Sequence, residues 1–308
     1  MTRIQVLNGP IASFSHAQIV PALLDTGVLI LRGPDTTLED FLGLSQSLSS
    51  AFVRHGLGPG DYRMVGASWS RRLIKGMDSL FTAAGQQQHQ ELGLHGEFYF
   101  HVKDPAHLLW FYCKQASEAS APTLVCDGMK LFASLTPADQ AVFLGRKLVY
   151  ERVQSRKKWQ EQYQLESETK LAAYLREQHH DFELQPDGTL FTRFTTPALR
   201  YRQGRPAFVN NFIPFARQQL NAPDRPGGRI SFADGHPITR ELVERVAALA
   251  ESLTRPIFWQ PGDIGLIDNT RMLHGRKQKQ ADDPREIYMR MSWSDFLARL
   301  QEPVAVGR

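Results

Sequence analysis

Strand-like runs stand toward both ends of this chain and a helix-patterned stretch lies between them, an order that confines the fold it can adopt. Gly27-Val-Leu-Ile-Leu-Arg-Gly33, Leu108-Leu-Trp-Phe-Tyr-Cys113 and Thr123-Leu-Val-Cys126 are β-branched and aromatic runs, and the polar stretch 114–122 predicts that the last two pair. Gly188-Thr-Leu-Phe-Thr-Arg-Phe194, Arg205-Pro-Ala-Phe-Val-Asn210, Gly262-Asp-Ile-Gly-Leu-Ile-Asp268 and Arg285-Glu-Ile-Tyr-Met-Arg-Met-Ser-Trp293 read as further strands. Helical spacing marks 18–24, 37–50, 136–144, 167–179 and 239–253. Thr37 with Glu39 and Asp40 suits one helix start, and Pro137 suits another. The predicted class is mainly β with helices (α+β), a sandwich of the jelly-roll kind in one domain over 1–308. Core strands are expected in about 90–130 and 188–295, with a helical insert over about 130–187. No internal repeat or long linker divides the chain. The Gly-, Ser- and Gln-rich stretch 56–90 predicts loops at a site opening, and a lid is expected there and in 157–165.

Composition removes several classes of function. With 42% hydrophobic and 22% charged residues among 308, the chain has the balance of a globular protein rather than a disordered one. Its net charge of +4 comes from scattered Lys and Arg, not from a basic stripe interleaved with aromatics, so no nucleic-acid partner is expected. Two cysteines, Cys113 and Cys126, sit in apolar runs, which argues against a disulfide framework and for a reducing compartment. The first residues show no charged segment leading into an apolar run, and no stretch of about 18 apolar residues occurs, so a cytoplasmic protein without membrane contact is expected.

Chemistry concentrates at two places. His95-Gly96-Glu97 sets an imidazole and a carboxylate two residues apart, on one face of an extended segment. Far along the chain, Asp268-Asn-Thr-Arg-Met-Leu-His274-Gly-Arg276 places a third donor after a strand and a turn. Two imidazoles and one carboxylate form a facial triad that leaves one side of iron(II) open, whereas a closed zinc site would recruit thiolates. By itself the His-x-Glu pair also fits a strand-end histidine beside a solvated glutamate. A dicarboxylate co-substrate needs a fixed cation, and arginine binds carboxylate through its planar fork. Arg285 follows His274 by eleven residues and Arg290 lies further along the same strand; one of them is expected to reach the pocket. Period-two geometry puts Arg285 with Ile287, Met289 and Met291, and puts Arg290 with Glu286, Tyr288 and Ser292, where a surface ion pair is the alternative.

These residues carry a likeness to a known family. Leu94-His-Gly-Glu-Phe98, Trp159-Gln-Glu161, Val209-Asn-Asn211, Ala233-Asp-Gly-His-Pro-Ile238 and, above all, Trp259-Gln-Pro-Gly-Asp263 through His274-Gly-Arg276 arrive in the family's order. The chain resembles the TauD/TfdA-type 2-oxoglutarate dioxygenases, in the branch near clavaminate synthase and syringomycin-type amino-acid hydroxylases. That resemblance implies a double-stranded β-helix core, with His95, Glu97 and His274 as catalytic iron ligands and Arg285 as the 2-oxoglutarate anchor. It also implies that Thr123 helps to bind the distant carboxylate, although the turn before it reads Ser120-Ala-Pro-Thr123 without the family's paired glycines. Arg193 and Asn211 are candidate substrate contacts, with an outward arginine the alternative for Arg193. Asp268 and Arg276 also match family positions and are read as structural, Asp268 capping the turn before His274.

The reaction so implied uses Fe(II), 2-oxoglutarate and O2 to hydroxylate an unactivated C–H bond of an amino acid or amino-acid-derived small molecule, free or carried on an acyl or peptidyl carrier protein. Desaturation, epoxidation and cyclisation are alternatives. Related halogenases put a small residue where Glu97 stands, so halogenation is not expected. Two further alternatives are a catalytically silent jelly-roll binding protein and a zinc hydrolase using the same donors.

Overall fold

A computed structural model describes residues 1–54, 71–83, 91–117, 122–163, 165–222, 228–278 and 283–301. Two antiparallel-rich sheets face one another. The larger is ordered Gln5–Asn8, Val28–Arg32, Ile264–Asp268, Leu108–Gln115, Glu286–Trp293 and Ala51–Phe52, with Phe81–Thr82 also pairing Glu286–Trp293. The smaller is ordered Arg255–Ile257, Thr123–Asp127, Met272–Arg276 and Leu92–His95. Together they form the jelly roll expected from the order of strands.

Alternation along the strands explains the layering. In Leu108–Gln115, the side chains of Leu109, Phe111 and Cys113 enter the core between the sheets with Val125, Ile257 and Met272. Leu108, Trp110 and Tyr112 turn to the opposite face and pack beneath helices through Ile19, Leu23 and Phe41. A strand covered on both faces has to be apolar throughout, which is why this run shows no polar alternation. Full burial of a side chain such as Leu109 or Phe41 stabilises by about 1.5–3 kcal/mol. The covering helices begin where the sequence predicts: Thr37 caps Leu38–Ser47 by accepting from the Asp40 amide, and Thr239 caps Arg240–Leu253 by accepting from that of Leu242.

Three expectations change. Leu108–Gln115 and Thr123–Asp127 do not pair; the chain between them crosses from one sheet to the other. The insert is not purely helical. It contains the strands Lys147–Gln154 and His180–Leu184, which join Leu190–Pro197 and Gly228–Phe232 in a separate four-stranded sheet, so these last two are not jelly-roll strands. Leu148, Val149 and Tyr150 are all buried there, and their β-branched and aromatic character is the signal for that strand. Of 205–210, only Arg205–Ala207 is strand, paired with Arg200–Arg202.

Of the expected lid, 56–70 and 84–90 lie outside the described residues, as do 118–121 of the turn before Thr123. The second lid segment coincides largely with the helix Arg156–Tyr163, which is seated by buried Trp159 donating from Nε1 to the Gly188 carbonyl.

Candidate metal centre and co-substrate pocket

The two halves of the predicted triad meet by strand pairing. In the smaller sheet Met272–Arg276 runs antiparallel to Leu92–His95, and His274 lies directly opposite His95. Gly275 permits this approach, because a Cβ there would sit 2.6 Å from the Leu92 carbonyl oxygen. Gly96 serves similarly, since its Cβ would fall 2.6 Å from the Tyr99 ring. The backbone then turns sharply at Phe98, which holds a left-handed φ of 66°.

Donor atoms of His95, Glu97 and His274 all lie within 4.8 Å of one another, and all three residues are buried. Glu97 Oε2 is 3.2 Å from His274 Nε2 and 3.9 Å from His95 Nε2. His95 Nδ1 is 2.8 Å from the Gly93 carbonyl, which makes it the protonated nitrogen and leaves the Nε2 lone pair for a metal. Burial and the neighbouring His274 push the His95 imidazole down to about 4, keeping it neutral as a ligand must be. Burial would raise the Glu97 carboxyl, but the Arg71 guanidinium and His274 hold it well below the usual carboxylate range. Two imidazoles, that of His95 neutral, and an ionised carboxylate on one side of a point suit a divalent metal with open positions, so the residues fit iron(II).

Asn269 fixes the backbone of Glu97. Its Oδ1 accepts from the Glu97 amide at 2.9 Å, and its Nδ2 donates to the carbonyls of Glu97 and Ala106. Asp268 caps the turn as expected, its Oδ1 accepting from the Thr270 amide and hydroxyl, while Oδ2 pairs with Arg202.

Beside the triad is a cavity lined by Arg71, Phe111, Thr123, Arg276, Arg285 and Met289, among others. Arg285 thus stands on the same side as Ile287 and Met289, as the strand period predicts. Thr123 Oγ1 accepts from Trp259 Nε1 at 2.9 Å, so its own proton is left to donate into the cavity.

Other predicted residues are elsewhere. Arg290 does not reach the cavity: it lies on the outer face over Phe52, donating to Ser45 Oγ, Ser79 Oγ and the Leu42 carbonyl. Nor is it paired with Glu286, which takes Lys114 instead. Arg193 is on the exposed side of Leu190–Pro197, 4.0 Å from Glu151, and is not brought to the triad. Asn211 is buried at the start of the helix Phe212–Asn221 and is not part of the cavity wall. Conversely, Arg71 and the Trp259 hydrogen bond went unread in the sequence, and Arg276 belongs to the cavity as well as to the scaffold.

Residues 8–293 match the sequence pattern described as "Taurine catabolism dioxygenase TauD, TfdA family". The chain belongs to the TauD, TfdA family. It is accordingly an iron(II)- and 2-oxoglutarate-dependent dioxygenase, an oxidoreductase. Among curated relatives, the TauD-type chain is 24% identical over 280 residues to the dapdiamide synthesis protein DdaC of Enterobacter agglomerans, covering 86% of this chain and 82% of DdaC. It is 28% identical over 93 residues to a clavaminate synthase-like protein of Arabidopsis thaliana, a match that spans 30% of this chain and 28% of that protein. Solved structures of similar fold include a taurine dioxygenase from Burkholderia xenovorans, at TM-score 0.55 and 16% identity over 91% of this chain and 80% of that one. PvcB from Pseudomonas aeruginosa matches at TM-score 0.57 and 13% identity, over 98% and 89%. No helix among the described residues is long and apolar enough to cross a membrane.

Proposed function

We propose that this TauD-type enzyme, working as one domain over 1–308, hydroxylates an unactivated C–H bond of an amino acid or amino-acid-derived small molecule, free or carrier-bound. In this reading His95, Glu97 and His274 hold iron(II), and Arg285 and Thr123 hold the distal carboxylate of 2-oxoglutarate. When bound, iron and 2-oxoglutarate supply oxygen activation, with release of succinate and carbon dioxide as the substrate is oxidised.

The chain's own residues do the positioning. Arg285 provides a cation beside Ile287 and Met289 on the wall it shares with Arg276, and the guanidinium fork suits a carboxylate in two-point contact. Trp259 occupies one lone pair of Thr123, turning the hydroxyl into a donor toward the same group. Phe111, Ile287 and Met289 narrow the cavity and keep water from the reacting centre. Asn269 keeps the Glu97 carboxylate on the side of the two imidazoles. With a carboxylate at position 97, no coordination site is set aside for halide, which favours hydroxylation. The buried thiols Cys113 and Cys126 are unpaired, in keeping with a cytoplasmic enzyme.

The observation that carries the reading is the meeting of His95 and Glu97, two residues apart, with His274 of the neighbouring strand, beside a cavity lined by Arg285. Purified protein given iron(II), 2-oxoglutarate and oxygen should release succinate, faster when a suitable amino acid is present. Hydrolysis that persists without oxygen would support a zinc enzyme instead, and no turnover with any metal a silent binding protein.

A further inference from the structure

Arg71 faces the cavity and pairs with Glu97. Its side chain is 9% exposed, and its Nη2 donates to Glu97 Oε2 at 2.8 Å. Its Nε is buried without a hydrogen-bond partner among the described residues, and the guanidinium lies 5.8 Å from the centre of the Phe98 ring. Oε2 is also the atom closest to both imidazoles. The carboxylate that Arg71 engages is therefore the one a metal would claim. A dication on Glu97 withdraws electron density from Oε2 and weakens it as an acceptor. A buried guanidinium then requires another anion, because desolvated charge without a partner is strongly unfavourable.

The charges around the cavity lead to the same need. Arg71, Arg276 and Arg285 bring three positive charges. The carboxylates acting on them among the described residues are Glu97, at Arg71, and Asp283, felt by both Arg276 and Arg285. A divalent metal and a dianionic co-substrate cancel one another, so together they bring Arg71 no replacement for a Glu97 carboxylate that the metal has taken. Arg276 and Arg285 are close enough to act on each other, so the co-substrate anchor is on their wall, whereas Arg71 is on the Glu97 side.

We propose that Arg71 receives a carboxylate of the primary substrate. The enzyme then takes a free acid in preference to an ester, amide or carrier thioester, and it oxidises a carbon within a few bonds of that carboxylate, because the guanidinium touches a ligand oxygen. This rests on the iron and 2-oxoglutarate reading given above.

The test is anaerobic titration of the enzyme loaded with iron(II) and 2-oxoglutarate, following its weak visible charge-transfer band. The probes are the twenty proteinogenic amino acids and their carboxamides. In the native protein at least one free acid should shift the band, and its amide should bind at least about 30-fold more weakly, the scale for a buried charge pair losing one partner. Arg71→Gln should bring the acid down to the amide's affinity while 2-oxoglutarate affinity changes by less than about 3-fold, and Arg71→Lys should restore part of the preference. An amide that binds as well as its acid, a preference untouched by Arg71→Gln, or a panel in which no acid shifts the band would overturn the proposal. So would a parallel loss of 2-oxoglutarate binding, which would place Arg71 with the co-substrate. Failure of the iron reading would look different, since the native protein would then develop no band before any probe is added.

Discussion

Buried charge is handled in two ways at the two ends of the strand that carries His274, Met272–Arg276. At its start the pairs are closed. Asp127 Oδ1 accepts from the amides of Met129 and Lys130 and from Arg271 Nε, and Oδ2 takes Arg271 Nη2 at 2.6 Å. Asp268 is likewise filled by Thr270 and Arg202. Around the metal centre the pairing is open: the imidazoles and the Arg71 guanidinium converge on one oxygen of Glu97, and Arg71 Nε has no partner among the described residues. Closed clusters hold the scaffold, and a cluster with donors to spare is arranged for something that has to arrive.

The sharpest way to break this contrast is to remove one carboxylate from each end. Glu97→Ala should abolish succinate release and iron(II) binding. Asp127→Asn strands Arg271 and should lower stability by about 3–5 kcal/mol in urea titration, with turnover per folded molecule unchanged. Comparable turnover losses in both would erase the distinction.

Two arginines on one strand sharpen it further. Arg285→Gln should weaken 2-oxoglutarate binding by about 30-fold or more, measured by anaerobic titration. Arg290→Gln should leave that affinity within about 2-fold and instead lower stability by about 1–3 kcal/mol, because Ser45, Ser79 and the Leu42 carbonyl lose their donor.

A third buried pair, His101 and His180, has no ion pair among the described residues. Burial keeps His180 neutral by moving it from 6.5 to about 4, and its Nε2 lies 2.9 Å from the His101 carbonyl. The unfolded chain takes up this proton below 6.5 and the folded chain only below about 4, so stability present above 6.5 is lost as pH falls across that window. The loss attributable to His180 is about 3 kcal/mol, and His180→Gln should remove that share of the acid sensitivity in urea titrations at pH 7 and 4.5. An unchanged pH slope would show that the histidine is hydrated in the folded state.

The smallest effect belongs to the support of the pocket. Trp259→Phe removes the donor to Thr123 and should raise the dissociation constant of 2-oxoglutarate by about 3- to 10-fold, the worth of one neutral hydrogen bond. No change would mean that Thr123 does not reach the co-substrate.

What could be read in the sequence was local or periodic. Two donors two residues apart in an extended segment announce themselves, and the period of a strand separates the face of Arg285 from that of Arg290. Partners supplied across the fold could not be read. Nothing near Arg290 points to Ser45 or Ser79, more than 200 residues earlier. Arg71 stands in a stretch without a clean period, and Trp259 and Thr123 are 136 residues apart. The strand Lys147–Gln154 was hidden between two well-marked helices, although Leu148, Val149 and Tyr150 carry its signal. Pairing of the runs at 108–113 and 123–126 failed for a related reason, since proximity in sequence does not decide which sheet a strand joins.

The most direct measurement is anomalous diffraction at the iron edge from crystals grown without oxygen in the presence of iron(II) and 2-oxoglutarate. A single peak bonded to His95, Glu97 and His274, with Arg285 on the far carboxylate of the co-substrate, is the predicted result. Iron located elsewhere, or Glu97 still held by Arg71 with no metal between the histidines, would contradict it.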